Sequence, residues 1–378
     1  MEFSIIQPPR IDFGRGKAAG AVAAATGFGA RGIVVHGANP ARAAWFTEAA
    51  RAAGADLMGL ACGGEPTLAD LEAAILRARP HRPDWVIAIG GGAVLDLGKA
   101  LAAMLPAPGG VMDHLEGVGR GLPLQAAPLP FIALPTTSGT GAEVTKNAVV
   151  GVLEQGRKVS LRDDRMIARV AIVDSALTDG CPPSVTLASG LDALTQVIEP
   201  YVSCRATPYT DAIALPVILP GLRALIRLRE GEDAPARDTM ALMSLTGGLA
   251  LANAGLGAVH GFAGVVGGIT GAAHGAICGT LLGPVLLMNR QRATGEARAR
   301  IDRVCGLLAE GLGCSAEAAP SVLAGWARAQ GLPGLAALGL GAERHAALAE
   351  AALTASSMKG NPVALSPADL CEILEQAS

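Results

Sequence analysis

The chain has 378 residues, 51% hydrophobic and 17% charged, with a formal net charge of -3 and a pI near 6.1. Its length exceeds the ~150 residues one compact core needs, so two domains are expected. The slightly acidic balance, with no Lys/Arg-rich run, excludes a nucleic-acid-binding surface.

Aromatic residues make up only 3%, so Ala, Val, Leu and Gly must fill the interior, with close backbone packing. Seven cysteines (Cys62, Cys181, Cys204, Cys278, Cys305, Cys314 and Cys371) are scattered and form no Cys-x-x-Cys pair. They read as reduced core or surface thiols. The opening MEFSIIQPPRIDFGRG carries an early acid, lacks an apolar h-region and breaks at Pro8 and Pro9. It does not read as a signal peptide, and the cytoplasm is the expected location.

In chain order, Ile33 to Val35 reads as a strand. Segment 67 to 80 reads as a helix capped by Thr67 and Asp70, with Leu68, Leu71 and Ile75 on one face, ending at Pro80. Trp85 to Ile89 is a buried strand running into Gly90, Gly91 and Gly92 and a helical VLDLGKALAAML. Further strands are expected at 131 to 134 and 170 to 173. Strand and helix alternation predicts a mostly parallel sheet. Beyond Asp174 the chain reads as helices separated by Gly and Pro, with a boundary near Gly180.

From Thr239 to Asn289 there is no Asp, Glu, Lys or Arg, and the mean hydropathy of the chain is +0.40. A membrane hairpin is one reading of that stretch. Its two histidines, Asn253, frequent glycines and lack of flanking aromatics favour helices buried inside a helical domain, and no membrane partner is expected.

Three clusters carry chemistry. Gly90 to Lys99 sets three glycines between a buried strand and a helix start. There bare backbone approaches an anion closely, and the helix dipole adds about half a positive charge. Asp96, one turn in, suits a ribose or the nicotinamide amide; an ordinary tight turn is the alternative. The run Leu134 to Val150 offers Thr136, Thr137, Ser138 and Thr140 on one loop, suited to a phosphate or ribose or else simply facing solvent. Lys158, one of five lysines, reaches toward the same cofactor or is solvated. In the helical half, Asp192 and Gln196 project from one helix face, and His260 and His274 lie on apolar segments. A carboxylate and two imidazoles meeting at one point suit Zn2+ or Fe2+; hydrogen-bonded core histidines are the alternative.

With GGGAVLDLGK, PTTSGTGAEVT, GLDALTQVIEPYVS and GAVHGFAGVVGGITGAAHG in this order, the chain resembles the iron-containing (group III) alcohol dehydrogenase family, of the dehydroquinate synthase-like fold. The likeness runs from IIQPPRIDFGRG through Glu65-Pro66-Thr67 to KGNP at Lys359 to Pro362. It implies a doubly wound α/β domain over 1-180 holding NAD or NADP, and an all-α domain over 181-378 holding Fe2+ or Zn2+, with substrate in the cleft between them. The family's ligands, one Asp and three His, fall on Asp192, Gln196, His260 and His274, so one imidazole has become an amide. Asp192, His260 and His274 then carry catalysis. Gly264 stands where many members have a proton-relaying His.

Gly90, Gly91, Gly92 and Asp96 match the family's cofactor loop, with Ala93 replacing its usual Ser; Thr136, Thr137 and Lys158 match other cofactor contacts. After strand 33 to 35, Gly37 and Asn39 are unaccompanied by an acid that would repel a 2'-phosphate, so NADP is permitted. The expected activity is NAD(P)-dependent, metal-assisted hydride transfer between a small alcohol and its aldehyde or ketone, by a homodimer. The rivals are a metal-independent ketone reductase similar to maleylacetate reductases, a lyase or cyclase like dehydroquinate synthase, and a noncatalytic nucleotide-binding protein with a degraded site.

Overall fold

The computed structural model describes residues 2-378, which divide into an α/β unit, residues 6-137 and 141-178, and a helical unit, residues 2-5, 138-140 and 179-378.

In the α/β unit the chain runs β1 (Ile11–Phe13), α1 (Ala21–Thr26), β2 (Arg31–Gly37), α2 (Ala44–Ala52), β3 (Asp56–Cys62), α3 (Leu68–Ala78), β4 (Trp85–Gly90), α4 (Gly92–Met104), α5 (Val111–His114), β5 (Phe131–Pro135), β6 (Asn147–Val152), β7 (Arg157–Arg162) and β8 (Val170–Val173). Six strands pair in parallel in the order β1-β8-β5-β4-β2-β3. Strands β4 and β5 are buried at every residue, as apolar runs covered on both faces must be. The Thr67 and Asp70 side chains form a reciprocal capping box at the start of α3.

Strand β2 connects outward to β3, whereas its neighbour β4 connects the other way to β5. The connections therefore diverge beyond the carboxyl ends of β2 and β4, which is where open parallel sheets bind ligands. Helix α4 lies close against this floor because Gly98 has no side chain: a Cβ there would stand 2.7 Å from that of Ala88 and 3.0 Å from the Phe131 ring.

One part of this unit departs from the sequence reading. The polar run after β5 is a loop only as far as Lys146. It then becomes β6, which pairs antiparallel with β7 in a separate hairpin. Lys99 anchors the hairpin: it is 1% exposed and donates to Ala142 O (2.7 Å), Thr145 Oγ1 (2.9 Å) and Asn147 O (2.8 Å). Burial draws its pKa down to about 8, against Asp96 and Glu143 nearby. Its three hydrogen-bond donors are nevertheless all used.

The helical unit comprises α6 (Pro183–Val202), α7 (Pro208–Glu230), α8 (Ala234–Ala254), α9 (Ala258–Thr270), α10 (His274–Arg292), α11 (Gly295–Leu312), α12 (Ala319–Ala329), α13 (His345–Leu353) and α14 (Pro367–Ala377). Helix α6 is buried along most of its length, with α7, α8 and α10 packed on it. The charge-free stretch supplies much of this core, through Met243, Phe262, Val266, Leu281 and Val285 among others. No single described helix is long and apolar enough to cross a membrane. The pair α8 and α9 passes that test together on length and composition, but bends by 99° at its break.

Asn361, in the KGNP segment, clasps two helices. Its Oδ1 accepts from Ala258 N at the start of α9 and from Asn289 Nδ2 of α10, each at 3.1 Å, and its Nδ2 donates back to Asn289 Oδ1 at 2.8 Å.

Asp369 holds the last helix. Its carboxylate accepts from Ser366 N (2.9 Å) and from Arg292 Nη2 (2.6 Å), and the Ser366 N–H is the main reason its pKa lies below the ordinary 3.8. A depressed carboxylate contributes stability that is complete above its ordinary pKa and lost as pH falls through its lowered folded value. Asp369→Ala should therefore cost about 1-2 kcal/mol at pH 7. In urea titrations the gap to the parent should close as pH drops below 4; a gap independent of pH would contradict the assignment.

Candidate active site

Helix α6 opens with a proline at its first position, where the missing N–H costs nothing. Along it Asp192, Gln196 and Glu199 recur at i, i+4 and i+7, one stripe of the helix, and are only 1%, 2% and 4% exposed. His260 lies in the first turn of α9. His274 begins α10, with Cys278 one turn further on the same face.

These elements bring Asp192, His260, His274 and Cys278 together, with one donor atom of each within 4.8 Å of all the others. His260 Nε2 lies 3.4 Å and His274 Nε2 3.6 Å from Asp192 Oδ1. The rings are 5.3 Å apart between centroids and tilted by 51°. Gln196 donates Nε2 to Gly139 O at 3.3 Å. Asp192 Oδ1 and Gln196 Oε1 are both buried without a hydrogen-bond partner, a costly state for two oxygens unless a cation joins them.

Electrostatics point the same way. Burial disfavours an ionised Asp192, but His274 and His260 outweigh it and hold the carboxyl at about 2. Burial likewise disfavours charged imidazoles. The Cys278 sulfur and Asp192 overcome this at both rings, joined by Glu199 at His260, and hold His260 well above its ordinary value and His274 at about 9. The donor set thus attracts positive charge, and Asp192, His260 and His274 fit a divalent metal in chemistry and spacing.

Glu199, which the sequence reading missed, completes the arrangement. Its Oε2 lies 2.6 Å from His260 Nδ1, and its Oε1 accepts from Val259 N at 2.7 Å. A carboxylate on one ring nitrogen orients the other toward a metal. The available signal was its place seven residues after Asp192 on the same face. Glu199→Gln keeps the volume and the acceptor for Val259, but removes the charge. It should lower metal affinity and kcat/KM by about 10- to 100-fold, read by metal titration and steady-state kinetics. Unchanged values would reduce Glu199 to a helix cap.

In the α/β unit, Gly90 ends β4, Gly91 caps α4 without any side-chain cap, and Gly92 and Ala93 form the first helical turn. A Cβ on Gly90 would stand 2.5 Å from Val94, so the turn admits only glycine there without displacement. This uncapped helix start lies at the diverging carboxyl ends of β2 and β4 and fits a diphosphate. Gly37 ends β2, and the exposed Asn39 caps the following turn by accepting from Ala41 N at 3.0 Å. Asp96 accepts from Val149 N at 3.0 Å, tying α4 to the hairpin.

Thr136 donates its N–H to Gly90 O at 2.9 Å, and Thr137 packs beside Gly91. Ser138 and Thr140 group with the helical unit, and Ser138 Oγ is buried without a partner. Lys158, on β7, pairs with Glu65.

A family model described as iron-containing alcohol dehydrogenase matches residues 8–175, and the model of the Fe-containing alcohol dehydrogenase family's C-terminal part matches residues 186–378. The chain belongs to the iron-containing alcohol dehydrogenase family. The enzyme is 34% identical over 315 residues to the Probable alcohol dehydrogenase EutG of Salmonella typhimurium, spanning 83% of this chain and 78% of that one. It is 36% identical over 301 residues to lactaldehyde reductase of Escherichia coli, spanning 78% and 77%. An archaeal halo-thermophilic alcohol dehydrogenase from a Red Sea brine pool superposes with a TM-score of 0.91 at 26% identity, covering 100% of this chain and 99% of that chain.

This dehydrogenase is accordingly an oxidoreductase interconverting alcohols and their carbonyl counterparts. Its family implies a nicotinamide dinucleotide and an iron-type metal. The relatives do not favour the maleylacetate reductase-like, dehydroquinate synthase-like or noncatalytic readings.

Proposed function

We propose that the enzyme transfers hydride between NAD(H) or NADP(H) and a small, uncharged alcohol or aldehyde with the help of a divalent metal. The observation that carries this reading is the convergence of Asp192, His260 and His274 around a buried, unpartnered carboxylate oxygen. When bound, the dinucleotide supplies or accepts the hydride, and the metal supplies Lewis-acid polarisation of the substrate oxygen.

The remaining roles belong to the chain. The N–H groups from Gly91 to Ala93 hold the diphosphate, and Gly37 and Asn39 leave room for NADP because no acid follows β2. Asp192, His260 and His274 hold the metal, and Glu199 keeps His260 Nδ1 occupied so that Nε2 faces the cluster. Gly264 meets no atom within 4 Å of a would-be Cβ, and as glycine it has no side chain to move a proton. The proton on the substrate oxygen would therefore be exchanged with solvent water rather than with a side chain at position 264.

The test strips the purified enzyme with a chelator and restores it with Fe2+ or Zn2+, following NADH and NADPH oxidation with propanal and lactaldehyde. Turnover should vanish on stripping and return with metal. Full turnover by verified metal-free protein would end the metal's role.

A further inference from the structure

Gln196 occupies the position matching one of the family's imidazoles; its amide N–H donates to the Gly139 carbonyl, and its Oε1 is a neutral oxygen, a weaker donor to a metal than an imidazole. That leaves the cluster one strong donor short. One turn along α10 from His274, the Cys278 side chain is 0% exposed and places its sulfur 3.8 Å from His260 Nε2 and 3.6 Å from His274 Nε2. We infer that Cys278 is itself a metal ligand, so that the ion is held by Asp192, His260, His274 and Cys278. This rests on the metal reading above.

Three observations carry it. First, the spacings suit a tetrahedron. With metal–sulfur near 2.3 Å and metal–nitrogen near 2.0 Å, tetrahedral angles put sulfur and nitrogen roughly 3.5 Å apart and two lighter donors roughly 3.3 Å apart. The observed separations are 3.6 and 3.8 Å for the sulfur–nitrogen pairs, and 3.4 and 3.6 Å for the nitrogen–oxygen pairs.

Second, hydrogen bonding alone does not satisfy the cluster. A thiol has one proton to share between two imidazoles, while Asp192 Oδ1, 1% exposed as part of its residue, still has no partner. A cation at the centre satisfies sulfur, both nitrogens and the carboxylate at once. Third, Glu199 already occupies His260 Nδ1, which leaves Nε2 as the nitrogen turned toward the sulfur. Binding releases the thiol proton to solvent, and a thiolate in the set favours a sulfur-tolerant ion, Zn2+ first.

Cobalt(II) tests this directly, because only a cobalt–thiolate bond gives an intense near-ultraviolet charge-transfer band. Metal-free full-length enzyme is titrated with Co2+ under anaerobic conditions, alongside Cys278→Ser, Cys278→Ala and Gln196→Ala, with bound metal counted by elemental analysis. The parent and Gln196→Ala should develop the band. Both Cys278 variants should lose it and bind Zn2+ at least about tenfold more weakly.

Bound cobalt without the band in the parent, or a band that survives in the Cys278 variants, overturns the assignment while leaving the metal reading intact. Failure of the parent to bind any metal overturns both. Should a Cys278 variant not fold, the parent spectrum alone still decides whether sulfur is bound.

Discussion

Asp192→Ala should lower kcat/KM by about a thousandfold, the scale on which removing a preorganised electrostatic group acts. Asp192 is the one carboxylate whose oxygen faces both imidazoles, at 3.4 and 3.6 Å. Without it the cluster loses its anionic donor, and the two imidazoles lose the charge that balances them. Alanine is the best helix former, so α6 itself should persist, and far-ultraviolet circular dichroism should be unchanged.

Two readouts separate this from general damage. Metal content should fall together with turnover, whereas NADH and NADPH affinity should hold, because the glycine turn at 90 to 92 belongs to the α/β unit. A variant that keeps its metal and loses less than about tenfold in rate would remove Asp192 from the centre of the mechanism.

Gly275→Ala should be the most damaging single-methyl addition near the cluster. A Cβ at this position would stand 2.4 Å from the Ala188 carbonyl oxygen and 2.8 Å from its carbon. Both are backbone atoms of α6, so no side chain can swing aside and α10 must withdraw. Overpacking of this kind costs about 1-3 kcal/mol. The catalytic effect should exceed the loss of stability, because His274 and Cys278 ride on the turn that moves while Asp192 stays on α6. A displacement of about 1 Å can cost about a hundredfold in rate.

The control is Gly306→Ala in α11, where nothing lies within 4 Å and alanine should gain up to about 1 kcal/mol. Thermal unfolding and kcat/KM for both variants check the contrast. If Gly275→Ala and Gly306→Ala behave alike, close approach of α6 and α10 is not what aligns the donors.

Element types were legible where burial is uniform or periodic. Trp85 to Ile89 announces a strand by being apolar throughout, and Thr67 to Pro80 announces a helix by its cap and its spacing. The hairpin of β6 and β7 escaped because NAVVGV alternates only weakly and follows a polar run dense in turn residues. Besides its own ladder and buried Val150 and Val152, it is held by Lys99, some fifty positions earlier, a contact no local pattern reveals.

By itself the sequence marked most of the candidates for the proposed chemistry. It marked the glycine turn at 90 to 92, the Asp192 and Gln196 face, the two histidines of an otherwise charge-free stretch, and the missing imidazoles at 196 and 264. Only the tertiary structure decided what those faces meet. Periodicity says that Glu199 shares a stripe with Asp192 and that Cys278 shares one with His274. That Glu199 reaches a ring 61 positions away, and that the buried Cys278 sulfur lies beside both His260 and His274, follows from helix crossings. Those crossings depend on the side-chain volumes of several helices at once, including the absent side chains of Gly257 and Gly275, and no segment read alone contains that information.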